Sequence, residues 1–458
     1  MTQTPAYQVT DPATGEVVRM FDFATDAEVE QAVSAATDAF TAWRERAVGE
    51  RAAIVKRVAE LFTERAEELA ELISTEMGKR PSGGKGEAEF CTDIFAYYAD
   101  KGPDLIADKP LAGHEEKARI EYLPVGPILG VMPWNYPYYQ VARFAAPNLI
   151  VGNTVLLKHA ENCPTSALAI ADIMRDAGVP DGVYQNLFAT HEQIASMIGD
   201  PRVRGVSLTG SERAGTAVAE AAGRNLKKVV LELGGSDPYI ILDTDDVEKA
   251  ADIAWATRME NVGQACNSNK RMIVMEEVYD DFVAALTERA AQMKPRKPGE
   301  DGDDLYSPMV SRKAAEGLKA QLEDAVAKGA TLHVGGELGE AAYFAPAVLT
   351  GVTPQMRAFR EELFGPVAVV YKVGSDEEAV ELANAVDFGL GGAVWSTDEE
   401  RAVKVARRLE VGMANVNTPA AEAADIPFGG TKRSGFGREM GPLGIDEFVN
   451  KRLFYVEK

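Results

Sequence analysis

The sequence predicts an α/β protein built from two parallel-sheet domains, and three observations carry that reading. From about residue 119 onward, short apolar runs rich in Val, Ile and Leu alternate with helical patterns, the βαβα order of a parallel sheet covered on both faces. At 458 residues the chain has room for two or three domains. Apolar residues make up 46% and charged residues 26%, which places it among packed globular proteins rather than disordered or fibrous ones.

Taken in order, the elements support this class. Asp11 to Gly15 reads as a turn between two short strands. Thr25-Asp26 is a helix N-cap signal, followed by Val29, Val33, Ala36, Phe40 and Trp43 at helical spacing. A second helix carries Ile54, Val58, Leu61, Leu69 and Leu72 and stops at Gly78, so helices dominate the first hundred residues. Ile120 and Tyr122 alternate with charged residues, as in a half-exposed strand. Strands are then expected at 155–158, 183–188, 203–208 and 228–233, with a helix at 166–177 stopped by Gly178 and Pro180. A second α/β region follows: helix 246–259, strand 272–275, helix 279–293, helix 312–327, strands 331–334 and 367–373, a helix near 376–385 and strand 391–395. Residues 294–304 form a Pro/Gly/charge loop between them.

Charge and cysteine content exclude several functions. With 48 basic against 71 acidic residues, the net charge of −23 opposes non-specific binding to nucleic acid or an anionic membrane. Cys91, Cys163 and Cys266 are odd in number and show no CxxC, so a reducing, cytoplasmic setting is expected rather than a disulfide framework. The N-terminus lacks a secretory pattern, and no apolar stretch reaches transmembrane length. The four histidines are scattered, and no metal is expected.

Most standard motifs are missing. There is no GxGxxG and no GxSxG. The run from Gly210 to Thr216 has the glycine spacing of a phosphate loop but no Lys before Thr216, and reads as a Gly-rich helix start. Three patches stand out. In Pro133-Trp134-Asn135-Tyr136-Pro137, two prolines fix the backbone around an Asn whose amide is suited to hold a developing oxyanion; read alone, it is equally a rigid aromatic turn. In Lys228 to Gly235, Glu232 ends an apolar strand before two glycines, where desolvation would raise its pKa toward that of a useful base; read alone, it is a solvent-facing Glu. In Gly263-Gln264-Ala265-Cys266-Asn267, the Cys is either a small buried apolar residue or a nucleophile exposed in a crevice.

Their order and spacing settle the matter. PWNYP, TGS, LELGG, GQAC with its Cys 34 residues past Glu232, Glu362-Leu363-Phe364-Gly365-Pro366, and Pro427-Phe428-Gly429-Gly430 together resemble the aldehyde dehydrogenase superfamily over essentially the whole chain. The similarity is greatest to the short bacterial succinate-semialdehyde dehydrogenases. It rests on the runs 140–147, 157–160, 233–238 and 359–366.

The resemblance implies an aldehyde-dehydrogenase-like fold of two parallel-sheet α/β domains plus a small β flap used in oligomerisation. The cofactor-binding domain would comprise 1–112, 125–232 and 424–439, the catalytic domain 233–423, and the flap 113–124 with 440–458. It also implies Cys266 as nucleophile, Asn135 as oxyanion donor and Glu232 as the base that activates water. Trp134, Lys158, Glu161, Gly210, Ser211, Glu362 and Phe364 would seat the cofactor, in a homodimer or homotetramer. Arg143 is expected to pair with a distal substrate carboxylate, with a buried salt bridge as its other reading. Glu161, three residues past Lys158, would oppose a 2′-phosphate, so NAD is expected over NADP. One departure concerns the loop before Pro427, where such enzymes place small polar groups and this chain has Glu422 and Asp425. An uncharged aliphatic or aromatic aldehyde is therefore the alternative substrate. A non-redox thiol hydrolase and a coenzyme-A-acylating enzyme are the remoter readings; the first has no histidine placed for it, and the presence of Glu232 favours hydrolysis over the second.

Overall fold

The computed structural model describes residues 7–457. Tyr7–Thr10 and Val17–Phe21 pair antiparallel about the Asp11 turn. Thr25 caps the helix Asp26–Glu45 in a reciprocal capping box with Glu28. The single helix expected to Gly78 is two, Val48–Glu64 and Ala66–Met77, hinged at Arg65. The hinge lets the apolar faces around Val58 and Phe62, and around Leu69 and Ile73, both join one core with the long helix Pro81–Leu105. That helix starts with Gly83, Gly84 and Gly86 and so carries a weak propensity signal. Gly84 is needed there: a Cβ would lie 2.9 Å from the Ala70 Cα of the neighbouring helix.

Two parallel sheets form the body. The first has the order Gly435–Phe436, Lys228–Glu232, Gly205–Thr209, Pro127–Val131, Thr154–Lys158, Tyr184–Asn186, parallel except for the short 435–436 strand. Strand order reverses between 127–131 and 205–209, which opens a crevice at the carboxyl ends of these strands. The second sheet has the order Thr331–Val334, Ala347–Thr350, Val367–Val373, Arg271–Met275, Pro238–Ile241, Gly391–Trp395, Met413–Val416, parallel apart from the antiparallel 331–334 edge. Their inner strands are buried on both faces, hence the unbroken apolar runs. A third, antiparallel sheet joins Val449–Tyr455 to Ala118–Pro124 and Lys109–Pro110 and leaves Leu453 and Tyr455 exposed. The 294–304 loop is anchored at its ends, where Lys294–Pro295 pairs with Leu305–Tyr306 and Arg296 donates to the Gly78 carbonyl at 3.0 Å. Among the described residues no helix is long and apolar enough to cross a membrane.

The packing of Pro81–Leu105 makes a test with opposite signs. Gly84→Ala should cost about 1–3 kcal/mol through overpacking. Gly86→Ala, whose Cβ would meet nothing within 4 Å, should gain about 0.5–1 kcal/mol from restricting the unfolded chain. Urea unfolding of both variants checks this; equal effects would mean that Ala70 does not constrain the helix.

Candidate active site

The chain crosses from the first sheet to the second through residues 233–237, between the strands Lys228–Glu232 and Pro238–Ile241. This crossing brings the motifs together. A Cβ on Gly235 would lie 2.4 Å from the Cys266 carbonyl oxygen, and one on Gly234 would lie 2.5 Å from Glu362 Oε2. Only glycines let the backbone pass this close to the cysteine loop on one side and the 362–366 segment on the other.

Cys266 follows a turn in which Asn261, Val262 and Gly263 all have positive φ (45°, 55° and 71°). A β-branched residue there is held against its preference, as is common where neighbours fix a functional loop. The neighbours are Asn135, whose carbonyl accepts from Asn261 Nδ2 at 2.8 Å, and the Gln264 carbonyl, which accepts from Asn135 Nδ2 at 3.2 Å and from Asn261 Nδ2 at 3.2 Å. Asn135 is therefore locked to the cysteine loop by its own amide and carbonyl. The half-buried Cys266 is pushed up to about 12 by burial, against the pull of Arg143 and Lys270, with Glu362 and Glu232 adding to the rise.

Glu232 is 1% exposed, and neither carboxylate oxygen has a hydrogen-bond partner. Burial and the neighbouring Glu439 push its pKa well up, while Arg143 and Arg438 oppose the rise. An unpartnered buried carboxyl is costly to keep ionised, so it is suited to accept a proton and cycle between its two forms.

Arg143 is not open to a substrate. Its side chain is fully buried, its Nε lies 2.8 Å from Glu439 Oε2, and its guanidinium sits 4.3 Å from the Phe428 ring centre and 4.6 Å from that of Tyr139. Burial pulls its pKa down, but Glu439 above all more than restores it. The expected role on a distal carboxylate is thus replaced by a buried ion pair beside Cys266 and Glu232, because Glu439 already answers the charge.

The cofactor candidates gather at the crevice. Lys158 ends strand Thr154–Lys158, and Ser211 caps the helix Glu212–Arg224 directly after Gly210, with its Oγ accepting from Ala214 N–H. That helix start follows the strand Gly205–Thr209, where backbone N–H groups favour phosphate. The Trp134 and Phe364 rings meet edge-on at 5.7 Å, and Glu362 Oε1 accepts from Gly235 N–H at 3.1 Å. A cation, a helix N-terminus, two aromatic rings and a carboxylate acceptor are of the chemical types that can hold a phosphorylated dinucleotide. Glu422, by contrast, is on the cysteine side, with Oε1 accepting from Asn267 Nδ2 at 2.9 Å. It lines a cavity of about 370 Å³ with Asn267, Phe428, Asn415 and Asp237. Asp425 is exposed and outside that lining.

Two site residues escaped sequence reasoning. Glu439 lies 296 positions from Arg143, and its only signal was a Glu soon after PFGG. Lys270 stands before a buried strand, a placement that asks for buried acceptors.

The half-buried Cys266 thiol, the Asn135 amide tied to its loop and the buried Glu232 carboxyl, beside the crevice at the strand ends, mark the chain as an oxidoreductase. The chain belongs to the aldehyde dehydrogenase family, whose profile matches residues 1–453, and its substrate is a small-molecule aldehyde. It is 51% identical over 449 residues to a succinate-semialdehyde dehydrogenase [NADP(+)] of Deinococcus radiodurans, covering 98% of this chain and 94% of that one. It is 41% identical over 462 residues to an Escherichia coli succinate semialdehyde dehydrogenase [NAD(P)+], with full coverage of both. Among solved structures, a succinic semialdehyde dehydrogenase from Streptococcus pyogenes in complex with NADP+ superposes with a TM-score of 0.95 at 39% identity, over 99% of this chain and all of that one.

The Deinococcus and Streptococcus relatives overturn the expectation that NAD is preferred: they point to NADP. The physical reason is the state of Glu161. Its carboxylate is not free to face a ribose phosphate; it is paired with Lys158 Nζ and lies 3.4 Å from His191 Nε2. Partial burial alone would raise its pKa, but Lys158 outweighs that and holds it below the ordinary range. Its negative charge is thereby answered, and the like-charge repulsion on which the NAD expectation rested is lost.

The ion pair inside the core predicts a pH-dependent cost. Arg143→Met leaves Glu439 buried without a cation and should destabilise the protein by about 3–5 kcal/mol at neutral pH. The loss should shrink on acidification, because a protonated Glu439 needs no partner. Denaturant unfolding at two pH values checks this, and a loss under 1 kcal/mol would show that the pair carries no such constraint.

Proposed function

We propose that the protein oxidises succinate semialdehyde to succinate with NADP+ as hydride acceptor. The observation that carries this is the convergence of Cys266, Asn135 and Glu232 at the crevice, in a chain whose relatives are named for that reaction. On this reading the Cys266 thiolate adds to the aldehyde carbon. The Asn135 amide and the Cys266 N–H stabilise the oxyanion. A bound nicotinamide cofactor would supply the hydride acceptor, and Trp134, Lys158, Gly210, Ser211, Glu362 and Phe364 would hold it, with Glu161 paired to Lys158. Loss of hydride leaves a thioester on Cys266. Glu232 takes a proton from water, the resulting hydroxide attacks the thioester, and the thiolate departs. Residues 1–112, 125–232 and 424–439 would act as the cofactor domain and 233–423 as the catalytic domain of a cytoplasmic enzyme. The exposed outer edge of Val449–Tyr455 supports a role for 113–124 and 440–458 in joining subunits into a dimer or tetramer.

A second reading, an uncharged aldehyde, is favoured by one observation: Glu422 sits against Asn267, next to the nucleophile, and like charge opposes a substrate carboxylate there. Comparing kcat/KM for succinate semialdehyde and butyraldehyde decides between them. At least a tenfold preference for the former is expected, on the order of 1.4 kcal/mol; parity would assign the uncharged substrate.

Cys266→Ala should abolish turnover without loss of fold, and Cys91→Ala and Cys163→Ala should leave it near normal. Glu232→Gln should give a burst of reduced cofactor followed by a slow steady state. In the parent enzyme the steady-state rate should climb with pH well above the ordinary carboxyl pKa of ~4.3, because only ionised Glu232 accepts the proton. That limb should vanish in Glu232→Gln, and its survival would remove Glu232 from the mechanism.

For the cofactor, Lys158→Ala should lower kcat/KM for NADP by roughly 10- to 100-fold, the scale of a charge-assisted hydrogen bond of ~1.5–3 kcal/mol, and should affect NAD far less. Equal losses with both cofactors would place Lys158 away from the 2′-phosphate.

A further inference from the structure

Lys270 stands at the head of the strand Arg271–Met275 and is 1% exposed. Its Nζ donates to the carbonyl oxygens of Ala265 at 2.6 Å and Cys266 at 2.8 Å, and lies 3.1 Å from Glu362 Oε1. Three N–H groups meet three acceptors, so the ammonium is satisfied without water and its position is determined. Two of those acceptors belong to the nucleophile loop. Because a trans peptide points its N–H opposite to its C=O, the hold on Ala265 O directs the Cys266 N–H away from Lys270. The third acceptor is the carboxylate that also accepts from Gly235 N–H.

We propose that Lys270 is a positioning residue for the redox step: it aims the Cys266 N–H, keeps a positive charge beside the thiol, and ties both to Glu362. This rests on Cys266 being the nucleophile. The charged and titratable groups facing the thiol are Arg143 and Lys270, which favour its ionised form, and Glu362 and Glu232, which oppose it, with the Tyr139 hydroxyl close by. Lys270 also faces buried Asp237. Without Lys270, Arg143 would be the remaining cation beside the thiol, and Arg143 is already paired with Glu439. The thiol would then be harder to ionise, and the two carbonyls would lose their shared donor.

The test uses the full-length enzyme and iodoacetamide, which alkylates thiolates. Cys91 and Cys163 are fully buried, and Cys266→Ala gives the blank. Lys270→Met should move the pH midpoint of Cys266 alkylation upward and slow alkylation at pH 8 by roughly tenfold or more, as expected for loss of a charge at short range. Lys270→Gln keeps a donor for the carbonyls without the charge. It should share the alkylation shift but recover part of the kcat that Lys270→Met loses. An unchanged alkylation midpoint in both variants, or the same kcat in both, overturns the proposal. If Lys270→Met fails to fold, the alkylation profile of Lys270→Gln decides alone. Alkylation does not depend on turnover, so failure of the nucleophile assignment would show separately, as activity retained in Cys266→Ala.

Discussion

The site depends on one close passage of backbone. Residues 233–237 leave the first sheet and enter the second, with Gly235 against the Cys266 carbonyl and Gly234 against Glu362. Every other spacing follows from it. Glu232 is the last residue of a strand because the crossing starts there, and Cys266 faces it because the loop must lie against the crossing. A side chain at either glycine would push apart the two sheets that share the reaction, which is why LELGG and GQAC act as one unit although they are remote in sequence.

The second constraint is electrostatic. Arg143 and Lys270 are set among Glu232, Glu439, Glu362 and an ionisable thiol in a space with little water. Arg143 pairs with Glu439 and Lys270 with Glu362, which leaves Glu232 and the thiol without a cation of their own, and uncompensated charge is expensive in such surroundings. At rest, therefore, some of these groups remain protonated. Burial pushes both Glu232 and Cys266 toward their protonated forms.

Much of this was legible in the sequence because the signals were local. Thr25 caps its helix with Glu28 in reach, the buried parallel strands read as unbroken apolar runs, and the motif residues of each patch are neighbours in the chain. What stayed hidden depended on partners far away. The break at Arg65 is set by packing against Pro81–Leu105, whose glycines disguise it as a loop. Arg143 could be read either as a substrate ligand or as half of a salt bridge, and its partner went unnamed because Glu439 is nearly three hundred residues on. Glu161 lay in plain view, but its charge was read in isolation; the pairing with Lys158 changes its meaning, and no spacing rule reports whether a carboxylate is already occupied.

The burial of the thiol has a consequence for survival under oxidants. Peroxides attack thiolates, and burial holds the Cys266 thiol toward its neutral form, against the pull of Arg143 and Lys270. Cys91 and Cys163 are sealed in the core, so no accessible second thiol stands ready to resolve a sulfenic acid as a disulfide. An oxidised Cys266 would therefore find no thiol within the chain to restore it.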